Sequence, residues 1–249
     1  MDRTLAAQAL LAGIAERGAD AVGYAYRRGE GPVTIHKQRS GASALLEDVI
    51  VPSSTSEALI HVRDYTKGHP SVEANNHPIR HGTVVGVHNG IIHNDEELMA
   101  EHGFERAEPE MTVDSEAIFA LAEAHDGHPR ALEQLRGSMA TAWLDERRAR
   151  TIFLARGVGR PLWVGTGREE VLFASTKAAL EVAERFLRLK LRKREVSEGM
   201  LAVVSDGEVV DKLRFEPDRD FKERSLPAVR APHEGAFCLQ RLAALAAIS

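Results

Sequence analysis

Strand-like segments follow one another along much of this chain, and that order limits its possible folds more than any other feature. Between residues 139 and 204, five short apolar runs are interrupted by only one helical segment, at 177–186. Parallel α/β folds alternate strands with helices, whereas runs of neighbouring strands are typical of antiparallel sheets with helices on their faces. The order of segments therefore predicts the α+β class.

The apolar spacing defines the individual elements. A helix is predicted over 3–16, because Leu5, Leu10 and Ile14 fall near helical spacing and Gly18 follows. The segment 83–88 is predicted to be a strand that ends at Asn89-Gly90, a dipeptide that favours tight turns. The remaining predicted strands are 22–26, 33–36, 58–63, 139–144, 151–154, 162–164, 171–174 and 200–204, and the remaining helices are 95–101, 114–124, 129–135, 177–186 and 240–247.

Charge and hydropathy exclude several classes of partner. The net charge of −5 argues against nucleic acid, which requires a basic surface, and the basic run at 190–194 is interpreted as a solvated strand edge. No apolar run is long enough to span a membrane, and the first residues do not resemble a signal peptide, so a cytoplasmic protein is expected.

Three short segments carry polar groups that suit ligand binding. Arg63 and Thr66, at a predicted strand end, could bind a carboxylate, although these residues taken alone favour a surface pair between Arg63 and Asp64. Asn89 and the Gly90 N–H could form an oxyanion hole, and the alternative is an ordinary hairpin turn. Asp114 could bind an ammonium group, and the alternative there is simple helix initiation.

The order of these motifs resembles that of the class II glutamine amidotransferases, which are N-terminal-nucleophile (Ntn) hydrolases. The resemblance extends over roughly residues 3–210 and includes several motifs in the family's order. They are R-G-A-D-A-V-G from Arg17, H-V-R-D-Y-T-K-G from His61, N-N-H-P from Asn75, H-N-G-I-I from His88, T-V-D-S-E from Thr112 and R-G-V-G-R-P-L from Arg156.

The resemblance implies a fold and a set of residue roles. The fold would be a four-layer αββα sandwich, and the ligand would be free glutamine. Arg63 and Thr66 would hold its α-carboxylate, Asp114 with Asp64 its α-ammonium, and Asn89 with Gly90 the oxyanion. His77 is placed with the substrate-binding residues, and Arg17 and Asp20 would shape the site. An aromatic residue and a His occur in the amino-sugar branch where this chain has Asp64 and Lys67.

The family's nucleophile is a cysteine at the mature N-terminus, on a first strand that aligns upstream of Met1. The first strand and its cysteine are therefore expected to be missing from this chain. Two explanations stay open: a truncated start of an active glutaminase, or a catalytically dead relative that binds glutamine or acts as a scaffold. Cys238, the single cysteine, follows the last matched motif and is not expected to replace the nucleophile.

The chain is accordingly divided into an amidotransferase domain at 1–215 and a C-terminal extension at 216–249. The expected partners are glutamine and a synthase subunit that accepts ammonia, with no cofactor. Six histidines between His61 and His93 raise the alternative of a zinc site, but no paired ligand spacing accompanies them, and no metal is expected.

Overall fold

The computed structural model describes residues 1–222 and 229–247, and the elements within those ranges include five α-helices and twelve strands. The helices are α1 Arg3–Ile14, α2 Asp95–Glu101, α3 Glu116–Ala124, α4 Lys177–Leu187 and α5 Pro232–Ala246. The strands are β1 Ala21–Arg28, β2 Val33–Gln38, β3 Thr55–Arg63, β4 Ile79–His81, β5 Val84–Ile92, β6 Gly137–Asp145, β7 Thr151–Arg156, β8 Trp163–Thr166, β9 Val171–Ala174, β10 Arg192–Glu195, β11 Met200–Ser205 and β12 Glu208–Arg214. None of the described helices is long and apolar enough to cross a membrane.

The strands form three antiparallel sheets. The largest has the order β12-β11-β7-β6-β5-β4, and the two smaller sheets have the orders β2-β1-β3 and β10-β8-β9. β6 lies in the middle of the largest sheet and is buried at every residue. Its alternate side chains serve two different cores, because Ala142 and Leu144 face the smaller sheets while Met139 and Trp143 face the helices.

Three apolar cores separate four layers, which confirms the predicted α+β sandwich. The first core packs α1 and α4 against the two small sheets through residues such as Leu11 and Leu180. The second lies between the sheets and includes Leu59 and Val87. The third packs α3 on the largest sheet, where the Trp143 ring stacks on Phe153.

A gap separates the two small sheets. Within the described residues, β3 pairs only with β1 and β9 pairs only with β8, so each has one unpaired edge. Two adjoining cavities lie along these edges, and Ala58 and Ile60 of β3 and Phe173 of β9 line both. Unpaired strand edges offer backbone donors and acceptors to a further strand.

The prediction that a strand ends at Asn89-Gly90 was wrong. β5 continues to Ile92, and Gly90 pairs with Met139 of β6 instead of forming a turn. Gly90 has φ of 146°, and a Cβ there would lie 2.0 Å from the Ser138 carbonyl oxygen. A glycine is therefore required by a close approach within the sheet.

Other predicted elements differ mainly in their bounds. The helix expected at 240–247 begins eight residues earlier, at Pro232, and the segment at 129–135 is a 3₁₀ helix, Pro129–Gln134. The basic run contains edge strand β10, as predicted, whereas β4 and β12 were not anticipated. Of the predicted extension 216–249, residues 223–228 and 248–249 lie outside the described residues.

Arg27 lies between the predicted strands 22–26 and 33–36, but in the structure it belongs to β1, is 2% exposed and connects two turns. Its guanidinium donates five hydrogen bonds, to the carbonyl oxygens of Glu30, Gly31, Asp145, Glu146 and Arg148. All five N–H donors of the side chain are thus used, and they connect the β1–β2 turn to the β6–β7 turn.

Replacement of Arg27 by Met should lower the free energy of unfolding by about 3 kcal/mol, because it leaves buried carbonyl oxygens without donors. Urea denaturation measures this change. Arg28→Met is the matched control, since the adjacent Arg28 side chain is exposed and its loss should cost less than about 0.5 kcal/mol. Equal losses in the two variants would contradict the role given to Arg27.

Candidate functional site

One cavity of about 280 Å³ brings together most of the predicted site residues. Its wall is formed by the end of β3 and the loop after it, the middle of β5 and β6, the start of α3 and the end of β9. We call it the site cavity. The predicted residues that line it are Arg17, Arg63, Asp64, Thr66, His77, Asn89, Gly90 and Asp114. Asp20 lies outside the lining and supports it, because its carboxylate accepts from the Tyr65 N–H at 2.9 Å.

The Asn89 side-chain amide, like ring nitrogens of His61 and His77, is a buried polar group of the cavity wall. Its Nδ2 is buried and has no hydrogen-bond partner among the described residues. A buried amide N–H without an acceptor is costly, and native structures keep such groups mainly where a ligand or water satisfies them. Asn89 is therefore a donor available to a ligand oxygen.

The Gly90 backbone N–H points to the edge of β5 that also carries the His88 carbonyl group and the Ile92 N–H. The His88 carbonyl oxygen on that edge is bonded to His61 Nε2 at 3.0 Å, and the Ile92 N–H donates to Asp114 Oδ2 at 2.7 Å. Backbone groups alternate between the two edges of a strand, so the N–H of Gly90, midway between them, has the same direction. Two donors, one from a side chain and one from the backbone, thus come from adjacent residues.

Asp114 supplies a buried negative charge near these donors. The residue is 3% exposed and lines the cavity just before α3. Its Oδ2 accepts from Ile92, whereas Oδ1 has no hydrogen-bond donor within the part of the chain that the structure describes. A carboxylate with a vacant acceptor in a buried cavity is suited to a cationic ligand group.

Arg63 provides the opposite charge. It is 4% exposed, and burial lowers the pKa of its guanidinium although the Asp114 and Asp20 carboxylates oppose that shift. Nη1 donates to Asn76 Oδ1 at 2.6 Å, and Nη2 donates to the carbonyl oxygens of Lys67 and Gly68 at 2.7 and 2.5 Å. Arg63 therefore does not pair with Asp64, and it fixes the loop on which Thr66 lies.

Two histidine rings, tilted by 34° to each other, lie beside Arg63. The ring centroids of His61 and His77 are 4.3 Å apart, and both residues line the cavity. Burial, followed by the positive charge of Arg63, lowers the pKa of His61 to about 3, and burial with His61 as neighbour lowers the pKa of His77 well below its usual value. Both rings are therefore neutral at pH 7.

Residues 1–222 and 229–247 contain no group of three or more His, Cys, Asp or Glu side chains placed to hold a metal ion. Cys238 lies outside the cavity lining, fully buried in the core shared by α1 and α5. Burial raises the pKa of its thiol to about 12, so the thiol is not ionised at pH 7.

Several lining residues were not anticipated. Lys67, noted only as a departure from the family pattern, pairs with Asp95 at 2.8 Å and so anchors the loop to α2. Arg230 lines the cavity from residues 229–247, which we call the C-terminal segment. No local pattern identifies Arg230, because its ion-pair partner, Asp64, is far away in the sequence.

Comparisons with known proteins agree with this geometry. A family model described as a glutamine amidotransferase domain matches residues 66–182. Glutamine–fructose-6-phosphate aminotransferase (isomerizing) of Shigella flexneri is 36% identical over 185 residues, and that of Halalkalibacterium halodurans is 31% identical over 183 residues. Each alignment covers 70% of this chain and 30% of the relative, so the matched part spans under a third of those proteins.

The fold has solved counterparts. The glutamine phosphoribosylpyrophosphate amidotransferase of B. subtilis, solved with ADP and GMP, superposes with a TM-score of 0.67 at 20% identity. The superposition covers 86% of this chain and 47% of that one. Together with the sequence relatives, this likeness shows that the chain contains a class II glutamine amidotransferase domain with the N-terminal-nucleophile hydrolase fold.

Proposed function

We propose that the site cavity binds free glutamine as a zwitterion. The observation that carries this proposal is the buried Asn89 amide without an acceptor, adjacent to Gly90 and on the strand that Asp114 contacts. Asn89 and Gly90 receive the side-chain carbonyl oxygen of glutamine, and Asp114 receives its ammonium group, with the carbonyl group of Asp64 as a second acceptor.

The glutamine carboxylate is assigned to Arg63 and Thr66. Three of the five N–H donors of Arg63 are used by Asn76 and the loop carbonyls, which leaves two for a ligand. Thr66 lies on the exposed part of the same loop and adds a hydroxyl. A cavity that binds both charged ends selects the free amino acid over glutamine side chains in proteins. His77, Arg17 and Asp20 shape the wall.

The reaction we propose is glutamine plus water to glutamate plus ammonia, with ammonia passed to an acceptor on a synthase subunit in the cytoplasm. A cysteine thiolate attacks the amide carbon, and the oxyanion that forms is stabilised by Asn89 and Gly90. The cysteine α-amino group, having taken the thiol proton, gives it to the leaving nitrogen as the C–N bond breaks and ammonia departs. Water then attacks the thioester carbon, the C–S bond breaks, and the sulfur regains a proton from that water as glutamate is released. No cofactor takes part.

The gap between β3 and β9 supports this reaction, because it offers two unpaired edges to the strand that carries the nucleophile. The described residues supply no nucleophilic cysteine at the cavity, since the chain's single cysteine is Cys238. Without such a strand we expect the chain to bind glutamine and not hydrolyse it. The alternative function, that of a catalytically dead glutamine-binding or scaffold relative, is favoured by the same observation.

Calorimetric titration tests the binding proposal. Glutamine should give a saturable heat, whereas N-acetylglutamine, which lacks the ammonium group, and glutamine amidated at its α-carboxylate should bind at least about tenfold more weakly. Arg63→Ala should abolish binding. Arg147→Ala is a suitable control, since Arg147 pairs with Asp145 away from the cavity. Absence of any heat with millimolar glutamine would refute the proposal.

A further inference from the structure

The C-terminal segment contributes Arg230 to the wall of the site cavity. Both Arg230 and Ala231 donate their backbone N–H groups to the Glu16 carbonyl oxygen, at 2.8 and 2.9 Å. Arg230 thereby lies beside the short 3₁₀ helix Ala15–Arg17, and it lines the cavity. This segment follows the residues matched by the family model, which end at residue 182.

The segment is firmly attached to the rest of the domain by α5. Cys238 and Leu242 are fully buried in the core that includes α1. Glu234 accepts hydrogen bonds from the Ser43 backbone N–H and hydroxyl, at 2.8 and 2.9 Å. The position of Arg230 is therefore held by its own backbone hydrogen bond to Glu16 and by the packing and hydrogen bonds of α5, which follows it.

Arg230 forms an ion pair with the first residue of the glutamine loop, which we define as residues 64–68. Its Nη1 lies 2.5 Å from Asp64 Oδ2, and the two side chains are 30% and 32% exposed. Asp64 directly follows Arg63 and directly precedes the exposed Tyr65 and Thr66. A restraint on Asp64 therefore acts on the residues to which we assign the glutamine carboxylate.

The other anchors of the glutamine loop come from the N-terminal part of the chain. Tyr65 N–H donates to Asp20, Lys67 pairs with Asp95, and Arg63 binds the carbonyl oxygens of Lys67 and Gly68. These contacts hold the Tyr65 N–H, the Lys67 side chain and the carbonyl groups of Lys67 and Gly68, but they do not involve the Asp64 carboxylate.

We propose that Arg230 is a positioning residue of the glutamine pocket, which holds the glutamine loop in its ligand-binding position through Asp64. The C-terminal segment then contributes to glutamine binding through Arg230. This inference rests on the proposed binding of glutamine. Because the ion pair is partly exposed, its contribution is moderate, and we expect its loss to weaken glutamine binding about three- to tenfold.

Calorimetry on the full chain tests the pair as a unit. Arg230→Ala and Asp64→Asn should each raise the Kd for glutamine, and the double variant should bind no more weakly than either single variant. Arg230→Lys should restore part of the affinity, since a cation then faces Asp64 again. The control is Arg241→Ala, which removes another ion pair between α5 and the domain, with Glu47, away from the cavity.

Hydrogen exchange provides a readout that does not depend on glutamine. Residues 64–68 should exchange faster in Arg230→Ala than in the native chain or in Arg241→Ala. If the native chain gives no binding heat, the proposed function fails, and the exchange rates still decide whether Arg230 restrains the loop. If the native chain binds glutamine but Arg230→Ala has the native Kd, or if the exchange rates are unchanged, the role of Arg230 is refuted.

Discussion

Addition of an N-terminal strand that opens with Cys-Gly-Ile is expected to convert this chain into a glutaminase. The strand should be about eight residues long, because its neighbour β3 has nine residues and paired strands match in length. The strand is to be added directly before Met1. The new initiator methionine, which precedes the added cysteine, is to be removed so that the cysteine carries a free α-amino group.

The direction of the neighbouring strands indicates where the cysteine would lie. β3 and β9 both run from the second cavity, which Met1 lines, toward the site cavity. A strand that ends at Met1 and fills the gap therefore runs antiparallel to both and begins at the site cavity. Its first residue would then lie close to Asn89 and Gly90, where the amide carbon of glutamine is expected.

The expected effect is large, because removal of a nucleophile costs an enzyme of this type most of its rate. We expect glutamate release at least about a thousandfold faster than in the same extension with alanine in place of cysteine. The alanine version is the matched control, since it supplies the strand without the thiol. Equal rates in two folded proteins that both bind glutamine would contradict the enzymatic function.

The fold was predictable wherever a local pattern determines structure. The apolar run 58–63 predicts most of β3, although the strand begins three residues earlier, at Thr55. The helix α4 follows Thr176, whose hydroxyl accepts from the Ala179 N–H as an N-cap residue. The path of β5 through Asn89-Gly90 was not predictable, since it depends on pairing with β6, which lies far along the chain. The local turn propensity of Asn-Gly is outweighed by this tertiary contact.

The site, like the fold, was predictable in its local motifs and not in its contacts between distant residues. The motifs around Arg63, Asn89 and Asp114 are short and ordered, so the sequence identified them, and the structure places all three at one cavity. Two contacts could not be read from the sequence. The guanidinium of Arg63 binds the loop carbonyls instead of Asp64, and Asp64 pairs with Arg230 from the C-terminal segment. Both depend on how separate segments pack.

Replacement of Asp114 by Asn is expected to remove nearly all glutamine binding and to leave the fold intact. An asparagine has almost the same shape, and its carbonyl oxygen can still accept the Ile92 N–H that Asp114 accepts at 2.7 Å. It cannot offer a negative charge to the ammonium group, however, and its own N–H₂ group would face that cation. At a site that is 3% exposed, water cannot compensate for the lost charge.

Binding of glutamine to Asp114→Asn should be at least about a hundredfold weaker than to the native chain, as measured by calorimetry. The matched control is Asp145→Asn, which removes another buried carboxylate, paired with Arg147 at 2.6 Å and absent from the cavity lining. That variant should lose stability in a thermal melt and keep the native Kd. An Asp114→Asn protein that binds glutamine within about threefold of the native chain would show that the ammonium group is held elsewhere. Such a small change in Kd is typical of a lost surface charge and not of a lost buried partner.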